Sequence, residues 1–471
     1  RLSSSALSSL PKGSPSKSGS VSRRTSSPEA AGVRREPSSP SPLAAQNQHT
    51  TDLDLAVTPV LEKMSRIGVL LNLKFLEALG IDLKSKLNSI EEEVYSKVGH
   101  QFNLNSPKQL SEVLFDELKL PVIRKTKTGR STDEETLREL STAHPVIELL
   151  LQYRQLFKLV STYIDALPKC VAEDGRIHST FNVEGAATGR LSSQNPNLQN
   201  IPIRGQLGSE IRKAFIVPKG KVLLAADYSQ IELRIMAHLS ADPNLKKAFE
   251  QNLDIHAATA SKIFKVPVEE VTKQQRMVGK TMNFATLYGQ GAHALSRQLG
   301  VDYATARQYI EEYFAQFPKV RGWMSSVLEK GYKDGFVETI WGRRRYIPEL
   351  QAGNRMLRAF GERAAVNHPI QGTSADMIKK AMVEIDKELG SSDPAPSSCS
   401  LILQVHDELL FECDGSASPS ATSSGSSGSP QVQNVAKMVK DKMENALKLS
   451  VPVVVDLKTG KNWGEMEKMT I

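Results

Sequence analysis

Two short apolar runs, each ending in acidic residues, constrain this chain more than any other feature of its 471 residues. Lys221-Val222-Leu223-Leu224-Ala225-Ala226 leads into Asp227 and is apolar enough to be a buried strand. Leu401-Ile402-Leu403-Gln404-Val405 leads into His406-Asp407-Glu408, after which Leu409-Leu410-Phe411 is apolar again. The second pattern predicts a hairpin with acids at its tip. Ionised carboxylates at the ends of buried strands are costly unless positive charge compensates them. Paired divalent cations do so, and two-metal sites serve in-line displacement at phosphorus. Magnesium prefers oxygen ligands and keeps several waters or phosphate oxygens, so two or three carboxylates are enough. Taken singly, each site fits a plainer reading equally well. Asp227 would then cap a helix beginning near Ser229, and His406-Asp407 would be a polar turn.

Arg276, Lys280, Phe284 and Tyr288 recur every four residues. At about 100° per residue each step advances only about 40°, so the four share one helix face. Met277, Val278, Met282 and Ala285 fall towards the opposite side and are expected in the core. Two cations followed by two aromatics offer phosphate binding at one end and base stacking at the other. Alone, the same pattern also describes an amphipathic helix with a solvated basic edge. Gly289 and the upstream Asp254-Ile255-His256 weigh against that alternative.

The chain otherwise divides by texture. Residues 1–50 are Ser/Pro-rich with scattered Arg and Lys, and cannot bury enough apolar surface to offset their ordering entropy. This stretch is expected to be disordered, either as an organelle transit segment or as a linker to something upstream. Residues 52–168 read as helical, with a stripe at Leu61, Met64, Ile67 and Val69, and with Asp52-x-Asp54 near a helix start. Ser106-Pro107 marks another start, Lys125–Arg130 a basic loop, and His144–Ala166 a further helix. Strand signals precede and follow a mostly helical stretch from Asp242 to Lys333. Ser391–Ser398 and Asp414–Pro430 are low-complexity tracts expected to be surface loops. The net charge of +8 suits a polyanionic partner. Cys170, Cys399 and Cys413 lack metal-ligand spacing, so neither zinc nor a disulfide framework is expected, and a reducing compartment fits. No apolar run approaches a membrane span.

Asp227-Tyr228-Ser229-Gln230-Ile231-Glu232-Leu233-Arg234 resembles motif A of the family A (DNA polymerase I-like) DNA polymerases. Arg276 through Gly289 is similar to their motif B, and Val405-His406-Asp407-Glu408 to motif C. Thr188-Gly189-Arg190-Leu191-Ser192-Ser193, running into Pro196–Pro202, resembles their primer–template motif. Asn367-His368-Pro369-Ile370-Gln371-Gly372-Thr373 resembles the helix that tracks the duplex. The likeness runs from about residue 55 to the C-terminus, with five motifs in one order.

The resemblance implies an α+β right-hand architecture. The thumb would span 51–170, the palm 171–240 and 336–471 with an antiparallel sheet, and the helical fingers 241–335. Asp227 and Asp407 would hold two Mg²⁺ ions, assisted by the Tyr228 carbonyl, with Glu408 as a supporting acid. Arg276, Lys280 and His256 would hold a triphosphate, and Lys280 would help neutralise the pyrophosphate. Gln230 would join the nucleotide site, Phe284 and Tyr288 would flank base and sugar, and Glu232 would crowd a ribose 2′-OH. Arg190, Asn197, Gln199, Arg204, Arg363, Asn367, Gln371 and His406 would contact primer and template, mainly along the minor groove, where shape and common acceptors suit an enzyme indifferent to sequence. The implied partners are primer–template DNA, deoxynucleotides and replication accessory proteins, with a monomer and no membrane.

Phe284 resembles the form of the family that rejects dideoxynucleotides. The Ser/Gly tract after motif C is not part of the family pattern. Trp341-Gly342-Arg343-Arg344-Arg345 fits a phosphate contact and a solvated turn equally. No carboxylate cluster for a proofreading exonuclease is visible. A single-subunit RNA polymerase, an inactive DNA-binding scaffold and a translesion polymerase compete with the replicative or gap-filling reading. Ser/Pro-rich segments around a bacterial-type core point to a plastid or mitochondrion ahead of a bacterial cytoplasm.

Overall fold

The computed structural model describes residues 47–126, 129–202, 206–390, 399–415 and 430–471. The Ser/Pro-rich arm, Arg204 and most of the two low-complexity tracts lie outside them. The fold is α+β, built on a five-stranded antiparallel sheet. Its order is Cys399–Val405, Glu408–Asp414, Lys221–Tyr228, Val455–Gly460, Met466–Met469. Lys221–Tyr228 is central, and both of its faces are covered. Leu224 and Ala226 enter a core shared with the long helix Arg355–Leu389 and the helix Pro430–Glu444. Leu223 and Ala225 enter a second core shared with the helices Leu73–Val98 and Val146–Leu159. Burial on both sides explains why this strand is a continuous apolar run rather than an alternating one.

The N-terminal helical region departs from expectation in two places. Its first helix, Gln48–Ile67, is capped by Asn47 and so begins before Asp52. Asp54 is buried inside it. Gly68 then takes φ 67, and Val69–Leu71 is a short strand paired with Arg176–Ile177 and Phe215–Ile216. Val69 therefore does not continue the helical stripe. Ser106 does cap the helix Pro107–Glu112, its hydroxyl accepting from the Gln109 amide. Lys125–Thr126 and Gly129–Arg130 pair as a short hairpin.

Between the two parts of the sheet lie Ile231–Ser240 and the helical stretch predicted from Asp242 to Lys333. The helix Lys273–Leu287 is closed at its start by a capping box of Thr272 and Gln275. It packs on Ile255–Phe264 so closely that a Cβ on Gly279 would lie 2.2 Å from the His256 carbonyl oxygen. Its buried face is Gly279, Met282, Asn283, Ala285, Thr286 and Leu287. Met277 is 61% exposed, so it is not the core residue that its spacing suggested. Among the described residues no helix is long and apolar enough to cross a membrane.

Candidate active site

The predicted hairpin forms. Val405 pairs with Glu408, leaving a two-residue turn, His406-Asp407, with His406 at φ 53. The turn lies against the end of the central strand, where the Tyr228 amide donates to the Asp407 carbonyl oxygen at 3.1 Å. Glu408 is the direct cross-strand partner of Asp227. Asp227 belongs to the strand and caps no helix: the following helix, Ile231–Ser240, has Gln230 at its start with no side-chain cap. Three carboxylates thus meet at one sheet end. Burial pushes Asp227 up to about 7, and Glu408 and Asp407 add to the effect. Burial also raises Glu408, against the pull of Arg212.

Several groups hold these acids that were not singled out in the sequence. Ser374 of the long helix donates to Asp407 Oδ1 at 3.0 Å. Arg212 lies 3.7 Å over the Trp463 ring and 3.7 Å from Glu408 Oε2. The Trp463 indole donates to Glu408 Oε1 at 3.4 Å. Among the described residues no group of three His, Cys, Asp or Glu side chains closes on one point as a metal cage. Asp227, Asp407 and the Tyr228 carbonyl, neighbours at this sheet end, would offer oxygen ligands only. That set fits magnesium, which keeps waters and substrate oxygens among its ligands.

The Lys273–Leu287 helix meets this sheet end through Glu232. Tyr288 donates its hydroxyl to Glu232 Oε2 at 3.0 Å, and Arg190 pairs with Glu232 Oε1. Glu232 is buried, and burial raises its pKa in spite of Arg190. Phe284 and Tyr288 stack with ring centroids 6.2 Å apart. Lys280, Phe284, Tyr288 and Gln290 line a cavity of about 280 Å³. Arg276 pairs with Asp254 at 2.5 Å. His256 is buried and accepts from Asn283 Nδ2 through Nδ1 at 3.0 Å, which leaves Nε2 as the N–H donor. Burial, then Arg276 and Lys280, hold His256 down to about 4 against Asp254. It is therefore a neutral hydrogen-bond donor at neutral pH, not a third cation.

Some of the residues expected to meet nucleic acid gather beside the turn. Arg190, Gln199, His406 and Asp407 line one cavity of about 170 Å³. Gln199 donates to Gln404 Oε1 at 2.8 Å, and Asn197 accepts from the Gln199 amide. Arg363, Asn367 and Gln371 recur every fourth residue on the long helix, and Gly289 approaches Arg363. The side-chain oxygens of Gln230 and Asn367 are among the buried polar atoms with no protein hydrogen-bond partner.

Two expectations are corrected. Cys399 and Cys413 are cross-strand partners and form a disulfide. Arg343 neither points to solvent nor is free for phosphate. It is buried in ion pairs with Asp54 and Asp376.

At one end of the sheet a buried carboxylate cluster is thus joined, through Glu232, to a helix bearing cations and aromatics. The sequence model of DNA polymerase family A matches residues 73–465, and the chain belongs to that family. It is 47% identical over 420 residues to the thermostable DNA polymerase I of Thermus filiformis, covering 88% of this chain and 48% of that protein. It is 44% identical over 422 residues to DNA polymerase I of Deinococcus radiodurans, covering 89% and 42%. Among solved structures it is similar to the POL domain of Pol1 from M. smegmatis in complex with DNA primer-template and dNTP. There the TM-score is 0.80 at 43% identity, covering 87% of this chain and 70% of that one. The chain spans about half the length of the curated relatives it matches. These relatives are bacterial and lend no support to an organellar setting.

Proposed function

We propose that this chain is a DNA-directed DNA polymerase that adds deoxynucleotides to a primer 3′-OH. The observation that carries the reading is the meeting at Glu232. There the helix bearing Arg276, Lys280, Phe284 and Tyr288 is joined to the sheet end bearing Asp227, Asp407 and Glu408. Residues 51–170 serve as thumb, 171–240 and 336–471 as palm, and 241–335 as fingers. Two Mg²⁺ ions held by Asp227, Asp407 and the Tyr228 carbonyl would lower the pKa of the primer hydroxyl and offset charge on the pyrophosphate.

The protein's own residues do the rest. Arg276 and Lys280 bind the triphosphate, and neutral His256 donates to it through Nε2. Lys280 stabilises the leaving pyrophosphate. Gln230 and Asn367 give their orphaned oxygens to the nucleotide and duplex. Phe284 and Tyr288 receive base and sugar. Glu232, clamped from both sides, occupies the space a 2′-OH would need. Arg190, Gln199, His406, Arg363 and Gln371 follow primer and template, with Asn197 and Arg204 alongside. The bacterial relatives favour the cytoplasmic alternative over an organelle.

The test is extension of a 5′-labelled primer with dNTPs or rNTPs, with and without Mg²⁺, beside Asp407→Ala. Magnesium-dependent extension with dNTPs, lost in the variant while primer–template binding persists, is the expected result. Binding without extension by the native chain overturns it in favour of an inactive scaffold.

A further inference from the structure

Beneath the site lies a second cluster of charges that the proposed chemistry does not use. Arg343 spans both oxygens of Asp54 at 2.6 and 2.9 Å, and its Nε donates to Asp376 Oδ1 at 2.6 Å. Lys379 reaches Asp54 Oδ1 at 2.7 Å. None of the four side chains is more than 5% exposed, and two cations face two anions. The members come from three separate segments: the first helix, the turn after Phe336–Glu338, and the long helix. A balanced buried cluster gains little stability over an apolar one of equal volume, so stability alone does not account for it.

That geometry is held at several points. Thr339 donates to Asp376 Oδ2 at 2.8 Å, and its hydroxyl accepts from the Arg343 amide at 3.1 Å. Thr373 accepts from the Ile340 amide, and His368 Nε2 meets the Arg343 carbonyl oxygen at 3.0 Å. On its other side the Arg343 side chain lies directly under Gly189. A Cβ there would stand 2.5 Å from Arg343 Cδ and 2.7 Å from Nε, and Gly189 has φ +82. The Thr188 carbonyl oxygen in turn rests on Gly372, where a Cβ would stand 3.1 Å away. The next residue along is Arg190, which grips Glu232.

We propose that Arg343 is a positioning residue: held rigid by Asp54 and Asp376, it is the platform on which the Thr188–Arg190 backbone sits, and it sets the reach of Arg190 to Glu232. It thereby governs discrimination between deoxyribose and ribose. This rests on the reading of Glu232 as the group that excludes a 2′-OH.

The experiment is a double-mutant cycle on the full 471-residue chain. Arg343→Lys and Gly189→Ala are each made alone and with Arg190→Ala. The ratio of kcat/KM for dNTP over rNTP is measured for every protein, beside thermal unfolding. Gly189→Ala leaves all four charges in place and decides the matter should Arg343→Lys fail to fold. The expected result is that each variant lowers the ratio about tenfold when Arg190 is present and has no further effect when it is absent. A cluster that only stabilises the fold would lower Tm with the ratio unchanged, or lower the ratio equally in both backgrounds. Either outcome overturns the proposal. Should the native chain extend primers with neither sugar, the polymerase reading itself falls. Native extension with additive variants sinks only the role of Arg343.

Discussion

Phe284 carries no hydroxyl, and its ring stacks on Tyr288 in the lining of the cavity that Lys280 shares. On the proposed reading, position 284 offers no hydroxyl to stand in for a missing 3′-OH, and the Tyr288 hydroxyl is already given to Glu232. Phe284→Tyr is expected to raise dideoxynucleotide incorporation about tenfold relative to the normal nucleotide, the worth of one hydrogen bond formed in a dry site. Chain-termination assays at matched concentrations check this, and equal use of both nucleotides by the native chain would contradict it. His256 makes a different point at the same scale. The family resemblance groups His256 with Arg276 and Lys280 on the triphosphate. Burial and those same cations keep it neutral, so its contribution is directional rather than charged.

The Ile255–Phe264 and Lys273–Leu287 helices lie against each other at Gly279. Ala is the better helix former, so the swap would stabilise an isolated helix by roughly 1 kcal/mol. Here the added methyl meets the His256 carbonyl oxygen and the Ala260 amide, with backbone on both sides. Gly279→Ala should instead destabilise by about 1–3 kcal/mol and raise KM for the nucleotide by displacing His256. Urea unfolding and steady-state kinetics read the two effects. This contact also shows what could be read from the sequence and what could not. Asp227 and Asp407 were legible because an acid ending an apolar run is anomalous in itself. The Arg276-to-Tyr288 ladder was legible because its chemistry repeats every turn. Asn283, Ser374 and Arg212 were not, because a polar residue on a helix takes meaning only from the partner it faces. Asp54 and Arg343, separated by 289 residues, pair through tertiary contact that no local period encodes. The disulfide was hidden for a related reason, since pairing Cys399 with Cys413 needs the strand register. Met277 was misplaced because helical spacing says which residues share a face, not which face is covered.

Across the whole molecule, opposing titrations shape stability. His368 is buried in the long helix and held down to about 4, chiefly by that burial. Its folded pKa lies below its ordinary 6.5, so the stability it allows is complete above that value. As pH falls from 6.5 towards 4 the unfolded chain takes up a proton that the folded chain refuses, and stability drops. Asp227 runs the other way. Its folded pKa is raised from 3.8 to about 7, so it supports the metal-free fold at low pH and loses that support as pH climbs through the interval. The native profile sums these with the other shifted groups, His256 and Glu408 among them, and a comparison isolates His368. His368→Asn should gain on the native protein by on the order of 3 kcal/mol between pH 6.5 and 4, and track it above. Parallel urea titrations across that range are the check, and a constant offset would refute it. The hairpin that carries Asp407 is closed at both ends. Its turn sits at one end of the paired strands, and the Cys399–Cys413 bond ties the other end. The two low-complexity tracts branch from the chain just outside that bond. The full length of the paired strands therefore stands between these tracts and Asp407. Replacing residues 416–429 with two glycines should thus leave the extension rate within about twofold of native, as pre-steady-state kinetics would reveal.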